Sequence, residues 1–170
     1  MRRPHRKPAA PPFRYRPGVL TDFGRDRVEV AMIEPCRACG AQNRIPAERL
    51  DGKARCGTCL RPILPLAVPH EIHSTAEFDE IVAGSPIPVL VDFWAPWCGP
   101  CNVVAPEVEQ VARLRSGGVI VAKVNTDEVP EVADRYGVLS IPTFIVFRRG
   151  QEAKRVSGAA PAQELIEITV

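Results

Sequence analysis

Six cysteines fall into three pairs of the form C-x2-C: Cys36/Cys39, Cys56/Cys59 and Cys98/Cys101. The first two combine as C-x2-C-x16-C-x2-C. Each pair can form a turn that aims two thiolates at one ion, with Gly40 and Gly57 supplying backbone freedom. Four thiolates at this spacing suit a tetrahedral, redox-inert zinc whose positions are all filled. The competing reading is a disulfide within each pair. The third pair keeps different company. It follows Val89-Leu-Val-Asp-Phe-Trp94, a β-branched and aromatic run that reads as a strand over residues 88–94. The strand delivers a helix N-terminus with Cys98 at its start. Free N–H groups and the positive end of the helix dipole favour a thiolate there. Cys101 lies three residues on along the same face, close enough to close a disulfide, and Pro100 suits the first helical turn. The chemistry expected is a nucleophilic thiolate with a resolving thiol beside it.

Strand alternation sets Asp92 on the face opposite Val91 and Phe93, in an apolar setting. A carboxylate there is costly, so its pKa should rise toward neutrality, where a general base is useful. Read on its own, Lys123 is a solvated strand residue. The elements around these groups alternate: a strand over 70–73, a helix capped by Ser74 or Thr75 to about Val82, the 88–94 strand, and a helix to about Arg115 interrupted by Pro106. A strand over 119–124, a helix over 130–136, strands over 143–148 and 152–157 joined by Arg149-Gly150-Gln151, and a closing helix over 161–169 follow. The pattern is α/β.

With 170 residues, 45% hydrophobic and 25% charged, the chain has room for one ordinary domain and a small appendage. The net charge of +2 conceals +8 in residues 1–69 and −6 in residues 70–170, which marks two modules. Residues 1–31, rich in Pro and Arg, read as a basic, disordered extension, and residues 32–61 as the zinc module. The shift in composition at Met32 makes it an alternative start of translation. Pro62, Pro65 and Pro69 stiffen a linker over 62–69, whose apolar side chains are expected to pack on one of the two modules. Residues 70–170 form the main domain. Between the first two pairs, Arg44, Arg49, Lys53 and Arg55 face only Glu48 and Asp51, but no aromatic residue offers a stacking platform, which argues against nucleic acid. No apolar run reaches membrane-spanning length. Arg2 and Arg3 precede no apolar signal core. Together with the cysteine usage this points to the cytoplasm.

Trp97-Cys98-Gly99-Pro100-Cys101, the approach strand Val91-Asp92-Phe93-Trp94-Ala95, Pro106 and Ile141-Pro142-Thr143 together resemble the thioredoxin family. With Asn43-Arg44-Ile45-Pro46 after the first cysteine pair, the chain from about Met32 onward is similar to the zinc-containing, thioredoxin 2 type. The resemblance implies a thioredoxin fold, a central mixed sheet flanked by helices, behind a small zinc ribbon in which Cys36, Cys39, Cys56 and Cys59 hold one structural Zn2+. It implies protein-disulfide reduction, with Cys98 as nucleophile, Cys101 as resolving thiol, Asp92 as general base toward Cys101 and Lys123 supporting it. It also implies a cis bond at Pro142 and a substrate groove formed by Trp97, Gly99, Pro100, Ile141 and Gly158. Implied partners are disulfide-bearing proteins and an NADPH-dependent thioredoxin reductase, with the chain a monomer. Asn102 departs from the family's common Lys or Arg and removes a charge beside the site. The alternative is a redox-regulated binding module in which the ribbon recognises a partner.

Overall fold

The computed structural model describes residues 31–170. The expected basic extension and the question of where translation starts therefore lie outside the described residues, apart from Ala31, which is buried. Two sheets are present among the described residues. Strands β1 (Met32–Pro35) and β2 (Gln42–Ile45) form an antiparallel hairpin, followed by a 3-10 turn at Ala47–Arg49. Sequence reading did not foresee these strands, because they are four residues each and carry Asn, Gln, Arg and Pro.

The second sheet has five strands in the order β3 (His70–Ile72), β5 (Ile120–Asn125), β4 (Val89–Trp94), β6 (Thr143–Arg148), β7 (Gln151–Ser157). The first three are parallel to one another, β6 runs antiparallel to β4, and β7 runs antiparallel to β6, giving a mixed sheet. Helices α1 (Thr75–Gly84) and α3 (Pro130–Arg135) cover one face, while α2 (Gly99–Leu114) and α4 (Ala162–Ile168) cover the other. The period-2 rule explains both cores. Val89, Val91 and Phe93 of β4 point at α1 and α3, where Phe78, Tyr136 and Phe147 pack with ring centroids 4.9–5.6 Å apart. Leu90 points at α2 and meets Val104, Val108 and Val111.

Ser74 caps α1 by accepting from the Glu77 N–H at 3.2 Å. Helix α2 runs unbroken through Pro106, which lies on its exposed side. A proline there deprives only one carbonyl of its helical partner, and water can supply the replacement. The β6–β7 turn places Arg149 and Gly150 at φ 51° and 79°, the pair of positive values that suits a two-residue hairpin.

The ribbon is not tethered at a distance. Met32, Ile45, Ala47 and Leu50 are buried in the same core as Phe78, Ile81 and Phe147. Leu64 and Leu66 of the proline-rich stretch join that core too, so they pack between the two modules rather than on one of them. A cis bond at Leu64–Pro65, which the sequence did not announce, lies in this stretch. Burial of side chains this size stabilises by about 1.5–3 kcal/mol each. The contact is close enough at Gly84 that a Cβ there would come within 2.7 Å of Ala47 Cβ.

Candidate functional site

Strand β4 ends at Trp94, and the turn that follows presents Cys98 as the N-cap of α2. Cys98 Sγ accepts the Cys101 N–H at 3.1 Å, using one of the donors that a helix start leaves free. Cys98 and Cys101 are joined as a disulfide, Cα atoms 5.2 Å apart, and both are only 4% exposed. Ala95, Trp94 and Ile141 pack against the pair. A disulfide in this position is the oxidised form of a dithiol, held where helix N–H groups can stabilise a thiolate when the bond opens.

Behind it lies a buried acid. Asp92 is 2% exposed, and its Oδ1 has no hydrogen-bond partner among the described residues. It shares the α2 side of the sheet with Leu90, and its β6 neighbour is Phe144. Burial pushes its carboxyl up to about 7; Lys123 works against that rise and Glu71 adds to it. Lys123 is half-buried rather than solvated. Its ammonium lies 3.9 Å from the centre of the Trp94 ring and 2.7 Å from Glu71 Oε1.

The rim of the site is formed by exposed groups. Trp97 is 71% exposed, and its indole N–H donates to Asp127 Oδ2 at 2.8 Å. Gly99 and Pro100 are exposed in the first turn of α2. The Ile141–Pro142 bond is cis, and the Pro142 carbonyl accepts the Gly158 N–H at 2.8 Å. Gly158 has φ +93°, yet a Cβ there would meet nothing within 4 Å; the backbone conformation, not crowding, asks for glycine. Asn102 is exposed and donates weakly to the Pro96 carbonyl. Sequence reasoning missed Glu71, Trp94 and Asp127. The first and last are ordinary surface acids by type, and only strand register or a loop's path brings them to the site.

The other four cysteines form a separate cluster, with their Sγ atoms all within 4.8 Å of one another. Cys36 faces Cys59 at 3.5 Å and Cys39 faces Cys56 at 3.7 Å, and all four thiols are free. Metal–sulfur bonds of about 2.3 Å in a tetrahedron put sulfurs about 3.8 Å apart, so the spacing fits zinc. The two knuckles repeat one hydrogen-bond pattern: Gly40 N–H to the Cys36 carbonyl and Leu60 N–H to the Cys56 carbonyl, then Cys36 N–H to Ala41 and Cys56 N–H to Arg61. The position that turns left-handed is therefore Gly40 (φ 72°) in the first and Leu60 (φ 61°) in the second, not Gly57. Backbone N–H groups of Ala38 and Cys39 hold the Cys36 thiol below its ordinary pKa. Those of Cys59 and Thr58 draw Cys56 down to about 6. The first cysteine of each knuckle thus favours the thiolate a metal ligand must become, whereas the Cys39 thiol, despite the Ala41 backbone, is pushed up to about 12 by the neighbouring sulfurs and by burial.

Ribbon and domain also meet through a buried ion cluster. His70 Nδ1 lies 3.1 Å from Glu34 Oε2 on β1, and Nε2 lies 2.9 Å from Glu77 Oε1 on α1. Burial opposes a charge on His70, but the two carboxylates outweigh it and raise the imidazole to about 9.

The comparisons with known proteins agree with this geometry. The family model described as Thioredoxin matches residues 69–169, and that described as Thioredoxin 2, N-terminal, matches residues 35–60. The chain is 40% identical over 134 residues to thioredoxin C-3 of Corynebacterium nephridii, spanning 79% of this chain and 90% of that one. It is 56% identical over 90 residues to thioredoxin 1 of Synechococcus elongatus, spanning 53% and 84%. Among solved structures, the thioredoxin of Plasmodium falciparum is similar at 37% identity with a TM-score of 0.54, covering 57% of this chain and 95% of that one.

Proposed function

The chain belongs to the thioredoxin family and is a protein-disulfide reductase, and from that premise we propose how its residues divide the work. The observation that carries the reading is the Cys98–Cys101 disulfide at the start of α2, with the Cys101 N–H directed at Cys98 Sγ.

In the reduced form, Cys98 is the nucleophile. Its thiolate attacks one sulfur of a substrate disulfide; a bond forms between Cys98 and that sulfur, and the other substrate sulfur leaves as a thiolate that takes a proton from water. Cys101 then gives its proton to the Asp92 carboxylate and attacks Cys98 Sγ. The mixed disulfide breaks, the second substrate thiolate leaves, and Cys98–Cys101 is oxidised. Two electrons have passed from the dithiol to the substrate. Asp92 suits its part because a base with a pKa of about 7 both accepts and returns a proton at neutral pH. Lys123 supports it from β5. Trp97, Gly99, Pro100, Ile141 and Gly158 form the groove, in which the backbone beside cis-Pro142 would pair with an extended substrate segment.

Disulfide-bearing proteins and a thioredoxin reductase are the kinds of partner that the family implies. NADPH as the ultimate donor, a monomeric state and a cytoplasmic location complete the proposal. No helix among the described residues is long and apolar enough to cross a membrane. We assign residues 32–61 as the ribbon, 62–69 as the connecting stretch and 70–170 as the catalytic domain. Cys36, Cys39, Cys56 and Cys59 would hold one zinc ion, which when bound supplies structure and no chemistry, since all its positions are filled by thiolates.

The test is reduction of insulin disulfides, driven by NADPH and a bacterial thioredoxin reductase. Turnover by the full chain that vanishes in Cys98→Ser is expected. Turnover that persists in the variant would contradict the assignment.

A further inference from the structure

Three adjacent strands set Glu71, Lys123 and Asp92 side by side. Glu71 is the register partner of Lys123 across β3 and β5, and Lys123 is the partner of Asp92 across β5 and β4. Register partners in parallel strands share a face, so the row reads acid, base, acid on the α2 side of the sheet. One ammonium stands between two carboxylates, and it is held by the outer one. Lys123 Nζ lies 2.7 Å from Glu71 Oε1, with the Trp94 ring against it. No ion pair within 4.0 Å joins Lys123 to Asp92 among the described residues, and Asp92 Oδ1 has no hydrogen-bond partner. Glu71 is 42% exposed on an edge strand, where packing alone does not call for a carboxylate.

We propose that Glu71 is a positioning residue for the exchange reaction: it holds the Lys123 ammonium toward the sheet edge and so keeps it from pairing with the buried carboxyl of Asp92. The inference rests on the reading of Asp92 as the base. The groups that face Asp92 are few. Lys123 comes from β5, Glu71 stands beyond it on β3, apolar Phe144 comes from β6, and α2, which carries the disulfide, covers this side of the sheet. Neutralising Glu71 therefore does two things in one direction. It removes a negative charge that raises the Asp92 carboxyl, and it frees a cation that lowers it. A lowered Asp92 would be ionised at neutral pH but would be a poorer proton acceptor for Cys101.

The experiment is a 13C titration of the Asp92 carboxyl in the oxidised, zinc-loaded full chain, in a cycle of Glu71→Gln, Lys123→Gln and the double variant. Glu71→Gln alone is expected to lower the Asp92 midpoint by about one pH unit, and Lys123→Gln to raise it. In the Lys123→Gln background the Glu71 substitution should move it by less than half as much. An unmoved midpoint, or an equal displacement with and without Lys123, overturns the proposal, because Glu71 would then act as a distant charge only. The pH profile of insulin reduction separates this from the underlying reading. A midpoint that moves without its acid limb moving refutes Asp92 as base, and with it any part for Glu71 in the reaction.

Discussion

The same spacing, two cysteines with two residues between, serves opposite ends in the two halves of this molecule. In the ribbon, each pair sits on a tight knuckle whose fourth residue after the first cysteine turns left-handed, Gly40 in one case and Leu60 in the other. That turn aims both sulfurs outward at a shared point, where two knuckles can enclose an ion. At Cys98–Cys101 the chain enters a helix instead. The sulfurs lie one above the other on the first turn and bond to each other. What the chain does next, not the spacing, decides between ligand and redox centre.

The largest test of that contrast exchanges the damage. Cys98→Ser should remove measurable disulfide reduction while leaving one zinc per chain by metal analysis. Cys56→Ser should do the reverse: zinc is lost, and the melting temperature falls by at least about 10 °C, because the ribbon contributes Met32 and Leu50 to the common core. Loss of turnover from Cys56→Ser at a temperature where the domain remains folded would break the division of labour.

The junction between the halves comes next. His70→Gln leaves Glu34 and Glu77 facing each other with little compensation, and should cost about 3 kcal/mol in chemical denaturation at pH 6. The sign is fixed by the raised imidazole. Its contribution is fully present below the ordinary value of 6.5 and is lost as the pH rises through about 9, so the wild type and the variant should converge at high pH.

Asp92→Asn sharpens the redox half. A carboxyl raised from 3.8 to about 7 weakens the folded state once it must ionise, fully so above pH 7, and the burden fades as the pH falls toward 4. The variant should therefore be more stable than the wild type at pH 8, by up to about 4 kcal/mol at 1.36 kcal/mol per pH unit, with no gain at pH 4. It should also be about 100-fold slower in insulin reduction. The smallest effect is expected in the ribbon. Leu60→Gly removes the strain of a left-handed leucine and should stabilise the zinc-loaded protein by about 1 kcal/mol or less in thermal unfolding, since added freedom of the unfolded chain offsets part of the gain.

Much of the main domain was legible because its signals are local and redundant. Val89–Trp94 alternates between two apolar cores, Ser74 is a good cap, and Cys98-Gly99-Pro100-Cys101 carries its own helix start. Element ends moved by a residue or two, as at the β5 strand, which begins at Ile120 rather than Val119. The ribbon strands were hidden because two four-residue segments have no period to read. Its shared core was hidden because Met32, Leu50 and Leu66 look alike whether they pack locally or across modules. Lys123 illustrates the same limit within the site. Read on its own, a lysine in a strand is usually solvated; the family resemblance paired it with Asp92, and the register adds Glu71 on its other side.

The proposed division of labour has Cys98 and Cys101 cycling while Cys36, Cys39, Cys56 and Cys59 hold metal. It is tested most directly by native mass spectrometry of the full chain, reduced with NADPH and thioredoxin reductase and then treated with iodoacetamide without denaturant. Alkylation confined to the Cys98–Cys101 pair, on a protein that retains one zinc ion, is the expected result. Alkylation of Cys36, Cys39, Cys56 or Cys59 with loss of zinc under the same treatment would contradict it.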